Sequence, residues 1–289
     1  MFVKIQTLIF NIVNTILTLV KILILSDLFI SKNKIKSDSK ECVILGNGPS
    51  LNCFISDNKN FLENKELMCV NHFAETDYYT NYKPRFYVIN AIELWSNNVE
   101  QSHKDRSDKL FGTIAEKTTW ELFLFVHASA KKYKRWSINI EKNSNIKIVY
   151  YNPTPVDGFR FFKYYCYTNN LGMPRPHNVL IPGILSAINS GFTTIYIAGA
   201  DHSWFKDLWV NENNEVLLTQ KHFYDEKTAQ ALPVHKEGKG QRKLHEILIK
   251  WVYSFQSYWE MENYSKHIGV KIYNVTKESF VDAFERIRV

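Results

Sequence analysis

Patterns for metal binding and for disulfide pairing are missing from this chain of 289 residues. It contains four cysteines, Cys42, Cys53, Cys69 and Cys166, which form no CxxC pair and no other ligand spacing. Cys42 and Cys69 lie in apolar runs typical of strands, where a free thiol packs like a small hydrophobic side chain. The sequence therefore argues against a disulfide framework and indicates a reducing compartment.

The common phosphate-binding fingerprints are also missing. Residues 46–50, Gly-Asn-Gly-Pro-Ser, follow an apolar run, but they match neither G-x-G-x-x-G nor G-x-x-x-x-G-K-[ST]. The two glycines permit positive φ and a close approach of the backbone to a ligand. Pro49 suits the first turn of a helix, Ser50 can cap it, and free N–H groups there would favour an anion. A plain turn and one wall of a nucleotide pocket both fit this segment taken alone.

No RNA-binding signature, internal repeat or low-complexity tract occurs in the sequence. The formal net charge of +7 suits anionic partners, namely a membrane surface, a nucleotide or nucleic acid. The lysines and arginines are scattered, however, and no predicted helix carries a continuous basic face. We therefore expect no nucleic-acid partner.

The first thirty residues are strongly apolar, but only residues 5–20 lie between Lys4 and Lys21, fewer than a bilayer crossing needs. Polar residues recur every three or four positions and form a narrow stripe on one helical face: Lys4, Thr7, Asn11, Asn14, Thr18 and Lys21. We predict a membrane-associated amphipathic helix over residues 1–30, with its lysines at the lipid headgroups. A spanning anchor and a helix docked on the protein's own core are the alternatives. A signal peptide is less expected, because no small-residue cleavage site follows the apolar segment. Residues 31–40 are predicted to be a linker.

The remainder, residues 41–289, alternates between apolar strands and helices. Strands are predicted at 41–46, 66–73, 84–90, 120–128, 146–152, 193–201 and 270–275, and helices at 178–191, 244–264 and around 279–287. This order is typical of an α/β, Rossmann-like fold in which helices sandwich a mostly parallel sheet. We expect one nucleotide-binding domain with a Gly-rich, basic lid near 205–243.

Polar residues follow several of the predicted strands. In parallel sheets ligands bind beyond the carboxyl ends of the strands, so Asn71, Asn90 and Asp201 are expected to join residues 46–50 in one site. Asp201 and His202 could hold a metal, but no second cluster supports them, and we predict no metal site. Three histidines in the basic region before or at the long helix are candidates for a general base or for a cation facing phosphate: His222, His235 and His245.

Several segments resemble known enzymes. VILGNGPSLN and CVNHF resemble amino-terminal motifs of the bacterial sialyltransferases of glycosyltransferase family 42, and GILSAINSGFTTIYIAGADHSW and VKIYNVTKESFVDAF are similar to its later segments. The resemblance covers residues 41–285 in scattered blocks. Similar blocks occur in proteins related to the archaeal-type 6-hydroxymethylpterin diphosphokinase, toward which HFYDE and the segment KLHE to KIYN lean.

The resemblance implies a transferase that binds a cytidine monophosphate (CMP) sugar without an obligatory metal. The implied nucleotide-binding residues are Gly46, Asn47, Gly48, Ser50, Asn71, Asn90, Gly183 and Asp201. Of these, Gly183 is the position retained where the family has its turn before the helix. A lid histidine as base implies His235 or His222, and tyrosines on the leaving phosphate imply Tyr164, Tyr165 or Tyr167, without a one-for-one match.

We therefore expect a membrane-associated glycosyltransferase at the cytoplasmic face of the inner membrane, building lipopolysaccharide, capsule or another bacterial surface glycan. Its donor would be CMP-sialic acid or a related CMP-sugar, its acceptor a glycan or a lipid-linked sugar, and it would require no cofactor. One alternative is a diphosphokinase using ATP and Mg²⁺, with Asp201 as the leading metal ligand. Another is a membrane-tethered protein that binds a nucleotide sugar or a glycan without catalysis.

Overall fold

A computed structural model describes residues 2–30, 35, 37, 39–224, 229–236 and 240–289. The strands are β1 (Glu41–Leu45), β2 (Glu66–Val70), β3 (Phe86–Ile89), β4 (Leu122–His127), β5 (Ile146–Tyr151), β6 (Thr194–Ala198), β7 (Leu208–Val210), β8 (Val216–Thr219), β9 (Ala231–Pro233), β10 (His235–Lys236), β11 (Gly240–Gln241), β12 (Lys271–Asn274) and β13 (Glu285–Arg286). The helices are α1 (Phe2–Leu25), α2 (Leu51–Asp57), α3 (Lys59–Glu63), α4 (Asp77–Tyr82), α5 (Gln101–Lys117), α6 (Arg160–Thr168), α7 (Leu180–Ser190) and α8 (Leu244–His267).

Eight of these strands form one sheet in the order β13-β12-β6-β1-β2-β3-β4-β5, and every neighbouring pair is parallel. Helices α6, α7 and α8 cover one face, and the elements from α2 to α5 cover the other. Because both faces are buried, the inner strands are apolar at almost every position. The predicted α/β, Rossmann-like sandwich is confirmed. Cys42 and Cys69 are free and fully buried in it, and burial raises the pKa of both thiols.

The end of the chain differs from the sequence prediction. The prediction of a helix around 279–287 is wrong, because these residues form irregular structure with bends and the short strand β13. The side chain of Ser279 donates to the carbonyl of Ala200 (2.6 Å) and accepts from the amide of Val281 (3.1 Å). Asn274 donates to the carbonyl of Val281 (3.2 Å). These contacts with neighbouring strands hold the segment in a non-helical path despite its helical apolar spacing.

The region predicted as a lid contains regular structure. Strands β7, β8 and β9 form an antiparallel sheet, and β10 pairs with β11. Val216 of β8 packs with Ile247 and Trp251 of α8 in a small core of its own. Residues 225–228 and 237–239 of the predicted lid lie outside the described residues, as do residues 31–34, 36 and 38 of the predicted linker. Movement of the lid stays a prediction.

The polar stripe of the first helix faces the protein from Asn11 onward, whereas Lys4 and Thr7 are exposed. Thr18 is fully buried, and its hydroxyl donates to the carbonyl of Asp157 (3.0 Å) and accepts from the amide of the same residue (3.1 Å). The hydroxyl of Thr15 accepts from the amide of Phe159 (3.1 Å), and Lys21 lies 3.8 Å from the Asp157 carboxylate. From Asn11 to Lys21 the orientation therefore differs from the prediction, which placed the polar stripe and its lysines at lipid headgroups. Among the described residues, α1 is the one helix that is long and apolar enough to cross a membrane.

Candidate active site

A cavity of about 710 Å³ opens at the carboxyl ends of β1, β2, β3 and β6. The chain order of the sheet reverses between β1 and β6, and such switch points are where open parallel sheets bind their ligands. The volume suits a molecule the size of a nucleotide or nucleotide sugar. Among the predicted site residues, seven line this cavity: Gly46, Asn47, Gly48, Asn71, Asn90, Asp201 and His222.

The two glycines after β1 are required by the neighbouring loop. The amide of Gly46 donates to the carbonyl of Ala198 (2.8 Å), and the amide of Gly48 donates to that of Gly199 (2.9 Å). A Cβ on Gly48 would overlap the carboxylate of Asp201 and lie 2.6 Å from the carbonyl oxygen of Gly199. The close approach that the sequence indicated is thus made by the loop after β6, while the same glycines form part of the cavity wall.

The start of α2 is occupied by a carboxylate of the protein itself. The amide of Ser50 donates to Oδ1 of Asp201 (3.1 Å), and the hydroxyl of Ser50 donates to Oδ2 (2.9 Å). The carboxylate of Asp201 therefore lies at the helix start, where the sequence predicted the anion of a ligand. Ser50 does not line the cavity, and its observed contact is with Asp201.

Two amide side chains of the cavity wall carry buried atoms without a partner in the described part of the chain. Asn47 donates to the carbonyl of Val70 (3.1 Å), but its Oδ1 accepts no hydrogen bond. Asn178 accepts from the amide of Leu180 (2.9 Å) and from the hydroxyl of Tyr258 (3.0 Å), but its Nδ2 donates none. An unsatisfied buried polar atom costs about 1–3 kcal/mol. A ligand that offers a donor to one and an acceptor to the other would recover this free energy.

Asn90, by contrast, has its side chain engaged within the protein. Its Nδ2 donates to the carbonyl of Pro176 (3.1 Å), and its Oδ1 accepts from the hydroxyl of Tyr151 (2.9 Å). Its backbone amide donates to Oδ1 of Asn71 (3.3 Å), which adopts a left-handed conformation with φ of 46°. Asn71 and Asn90 line the cavity, and these bonds hold its walls together.

One side of the cavity is strongly cationic. Arg106, Arg242 and Lys250 line it, and none of them forms an ion pair with a carboxylate among the described residues. Burial lowers the pKa of Lys250, and the charge of Arg242 lowers it further. The pKa of His177, in the same wall, is lowered to about 4 by burial and then by the charges of Lys250 and Arg175. The carboxylate of Glu93, also in the lining, opposes this effect on Lys250. Several cations gathered in one wall, close enough to lower the pKa of Lys250 and His177, favour the binding of an anion there.

His222 reaches the cavity because its neighbour is anchored. Phe223 is buried against Phe73 (ring centroids 5.7 Å apart), its amide donates to the carbonyl of Asn47 (3.1 Å), and its carbonyl accepts from Asn52 (2.7 Å). The imidazole of His222 stacks on Tyr224 at 5.0 Å, and both line the cavity. The two other histidines that the sequence suggested as bases are His235 in β10 and His245 at the start of α8. Both are exposed, and neither lines the cavity.

The cavity is also lined by His72, which has a carboxylate partner and was not predicted as a base. His72 follows Asn71 at the end of β2, and its Nδ1 lies 2.6 Å from Oε1 of Glu75. This hydrogen bond, ahead of the contact with Lys109, lowers the pKa of the Glu75 carboxyl to about 2. An ionised Glu75 holds the proton on Nδ1 and leaves Nε2 as the basic atom. The sequence signal is a histidine at a strand end followed by a glutamate three residues later.

His202 has a different role. It is buried, stacks on Trp204 at 4.3 Å, and its Nε2 lies 2.5 Å from the hydroxyl of Tyr258. Burial lowers its pKa to about 3, so the imidazole is neutral. Because Tyr258 donates its proton to Asn178, the bonding pattern makes His202 the donor to Tyr258. This chain of hydrogen bonds positions the unsatisfied Nδ2 of Asn178 in the cavity wall.

The remaining predicted residues lie elsewhere. Gly183 is buried in α7 beneath Ile44 and Met68. Tyr167 is fully buried, with its hydroxyl 3.4 Å from Glu260. Tyr164 lines a second cavity, and Tyr165 is exposed on α6. The structure does not bring these four residues to the cavity at the strand ends. No group of three or more His, Cys, Asp or Glu side chains placed to hold a metal occurs among the residues described.

Comparisons with known proteins give one distant structural match. No protein-family model matches the chain, and no curated protein matches it. A solved structure titled "Structure of MAf glycosyltransferase from Magnetospirillum magneticum AMB-1" is similar at 11% identity with a TM-score of 0.47. The match covers 89% of this chain and 34% of that one, so this chain spans about a third of the length of the protein it matches. A likeness at this level assigns neither an activity nor a substrate.

Proposed function

We propose that the chain is a membrane-associated glycosyltransferase that uses a nucleotide-activated sugar, with a CMP-sugar as donor. The observation that carries the proposal is the composition of one cavity wall. Asn47 offers an acceptor and Asn178 a donor that have no partner among the described residues, and both share the strand-end cavity with Arg242 and Lys250. Amide groups suit the hydrogen-bonding edges of a base or sugar, and unpaired cations suit a phosphate.

The chemistry follows from these groups. An acceptor hydroxyl attacks the anomeric carbon of the donor, a base removes the hydroxyl proton, and the bond to the phosphate oxygen breaks with release of CMP. The cations of Arg242 and Lys250 stabilise the negative charge on the departing phosphate. His222 and His72 are the candidate bases, since both line the cavity and His72 has its Nε2 available.

The placement of the enzyme belongs to the same proposal. The resemblance to family 42 supports a CMP-sugar donor, a glycan or lipid-linked acceptor and a product on the bacterial surface. The apolar outer face of α1 supports attachment to a membrane. The proposal places the enzyme at the cytoplasmic face of the inner membrane, within reach of a lipid-linked acceptor. The diphosphokinase and binding-protein alternatives are separated from this proposal by the experiments below.

Ligand binding tests the nucleotide. CMP without metal should stabilise the full chain by about 2.7 kcal/mol at a hundredfold excess over Kd, seen as a rise in Tm. Arg242→Ala should weaken CMP binding about tenfold or more, because a hydrogen bond to a charged group contributes about 1.5–3 kcal/mol. Arg288→Ala, which removes an exposed arginine near the chain end, is the matched control. Stabilisation by ATP with Mg²⁺ and not by CMP would refute the donor assignment and favour the diphosphokinase.

Turnover tests the base. CMP release from CMP-sialic acid should fall by roughly 10²–10⁴-fold when the base is removed, with the Kd for CMP unchanged. His72→Asn keeps a donor toward Glu75 but removes Nε2, and His222→Ala removes the other candidate. His235→Ala is the control, since this residue lies off the cavity, and should keep full activity. Tight CMP binding without release from CMP-sugars in the presence of glycan acceptors would favour the non-catalytic binding protein.

A further inference from the structure

The outer face of α1 is an almost continuous apolar surface. Thr15 and Thr18 are turned toward Phe159 and Asp157, and large apolar side chains are exposed along the whole helix, from Phe2 and Val3 at its start to Ile24 and Leu25 at its end. Phe29, just after the helix, is 95% exposed. A surface this large is uncommon on a protein that works free in water. It requires an apolar partner.

The helix is locked in this orientation by the protein. The left-handed Gly158, with φ of 115°, lies against Thr15, and a Cβ there would be 2.8 Å from the Thr15 backbone nitrogen. Together with the two hydrogen bonds of Thr18 to Asp157, this contact fixes the rotation of α1 about its axis. The apolar face is therefore held outward as a fixed surface of the domain.

A second cavity, of about 580 Å³, lies beside this surface. Asn11 of α1 forms one side, Arg160 and Lys163 at the start of α6 form another, and Lys266 and His267 at the end of α8 close it. Glu260 is the carboxylate in its wall, and it is bound by Lys163 at 2.7 Å, while Lys266 binds the neighbouring Glu262 at 2.8 Å. Arg160 forms no ion pair with the residues described. The cavity is thus a basic recess with an apolar helix at its edge.

We propose that this recess, defined by Asn11, Arg160, Lys163, Lys266 and His267, binds the phosphate of an anionic phospholipid headgroup while the apolar face of α1 lies among the acyl chains. The inference deepens the proposed membrane association and rests on it. Apolar and basic groups occur side by side here. They match the apolar acyl chains and the negatively charged headgroups of an anionic bilayer. Phe161 and Tyr165, exposed on α6, add apolar area next to the basic groups. Lys4, roughly two helical turns before Asn11, adds a further cation on the same stripe.

Vesicle flotation of the full chain tests this site. The chain should bind vesicles of phosphatidylcholine mixed with phosphatidylglycerol more tightly than vesicles of phosphatidylcholine alone, and added salt should reduce the difference. The double variant Arg160→Glu, Lys266→Gln should lower partitioning to the anionic vesicles by about 25-fold or more, since each basic side chain near such a surface contributes about fivefold. Partitioning to phosphatidylcholine alone should be unchanged.

The matched control changes charge by the same amount on the other face of the sheet. Lys117→Glu with Lys59→Gln alters exposed residues of α5 and α3 and should leave vesicle binding unchanged. Arg160→Gln alone, with an expected loss of about fivefold, replaces the double variant if the latter does not fold. Thermal stabilisation by CMP is measured on the same proteins and should be equal in all of them, so the nucleotide proposal stands or falls separately.

Three results would overturn the inference. Equal binding to both kinds of vesicle would show an apolar anchor without a headgroup site. Stabilisation by inorganic phosphate in the absence of lipid, lost in the double variant and accompanied by unchanged vesicle binding, would assign the recess to free phosphate. A discrete dimer that does not float with any vesicle would assign the apolar face to a second copy of the chain.

Discussion

Acidification from pH 7 to pH 5 should destabilise the protein through His202. This imidazole is buried and neutral, with a pKa of about 3 in the folded protein against 6.5 in the unfolded chain. The unfolded chain therefore binds a proton in this range and the folded protein does not. Stability is fully present above pH 6.5 and falls as the pH drops from 6.5 toward 3. For one such group the loss between pH 7 and pH 5 is about 2 kcal/mol.

The assay is urea unfolding of the full chain in a nonionic detergent, followed by tryptophan fluorescence at a series of pH values. His202→Gln removes the titrating group but keeps an N–H donor toward Tyr258. Near pH 5 the free energy of unfolding of the wild type should change by about 1.4 kcal/mol per pH unit more steeply than that of the variant. His127 and His177, whose pKa values burial lowers to about 4, add acid sensitivity to both proteins equally.

Above pH 7 the curves of wild type and variant should run parallel, because His202 is then neutral in both states. Above pH 7 the variant is expected to be less stable, since it loses the stacking of His202 on Trp204, and this difference should shrink as the pH falls. The offset does not matter to the test, which compares slopes. Identical slopes between pH 5 and pH 6.5 would refute the assignment of a neutral, buried His202 to the folded state.

Two other predictions concern the walls of the main cavity. Gly48→Ala should destabilise the protein by about 1–3 kcal/mol, because the new Cβ collides with Asp201 and Gly199; the control Gly112→Ala in α5, which meets nothing within 4 Å, should be neutral or stabilising, and equal Tm values for both variants would contradict the prediction. Phe223→Ala should free the segment that carries His222, raising amide exchange at residues 221–224 and the KM for the donor, while unchanged exchange would show that Phe223 does not anchor it.

The strands of the main sheet could be predicted because each one is recognisable from its own short run of apolar residues. Strands covered on both faces are continuous apolar runs, and each of the strands predicted from such a run forms part of the main sheet. Helix α5 could not be found this way, because its buried face, Ser107, Leu110, Phe111 and Ile114, is embedded in a strongly charged segment. The end of the chain failed for the opposite reason. Its apolar spacing suggested a helix, but a hydrogen bond from Ser279 to the carbonyl of Ala200 after β6 and one from Asn274 of β12 to the carbonyl of Val281 decided its path.

In the candidate site, too, the residues that directly follow predicted strands could be predicted, and most of the others could not. Asn71, Asn90 and Asp201 could be placed together because they follow parallel strands, whose ends share one edge of the sheet. Arg242 belongs to the basic region that was predicted as a lid, whereas Asn178 and Lys250 come from a loop and from α8, and no pattern in the sequence marks these two as neighbours of the strand ends. Tyr164 and Tyr167 were implied by resemblance without matched positions, and they face the α8 side of the molecule instead.

Asp157 connects the two surfaces on which the proposals rest. Its backbone holds Thr18 of α1, and its carboxylate accepts from Nη2 of Arg175 (2.8 Å), whose own carbonyl accepts from Ser257 of α8 (3.1 Å). Arg175 leads directly into residues 176–178, which line the main cavity and carry the unsatisfied amide of Asn178. The position of α1 relative to the cavity is therefore set by packing and hydrogen bonds, and not by the length of residues 31–40. Under the proposed membrane attachment, a helix fixed in this way would determine which side of the domain meets the membrane, and hence the direction from which a lipid-linked acceptor would reach the cavity.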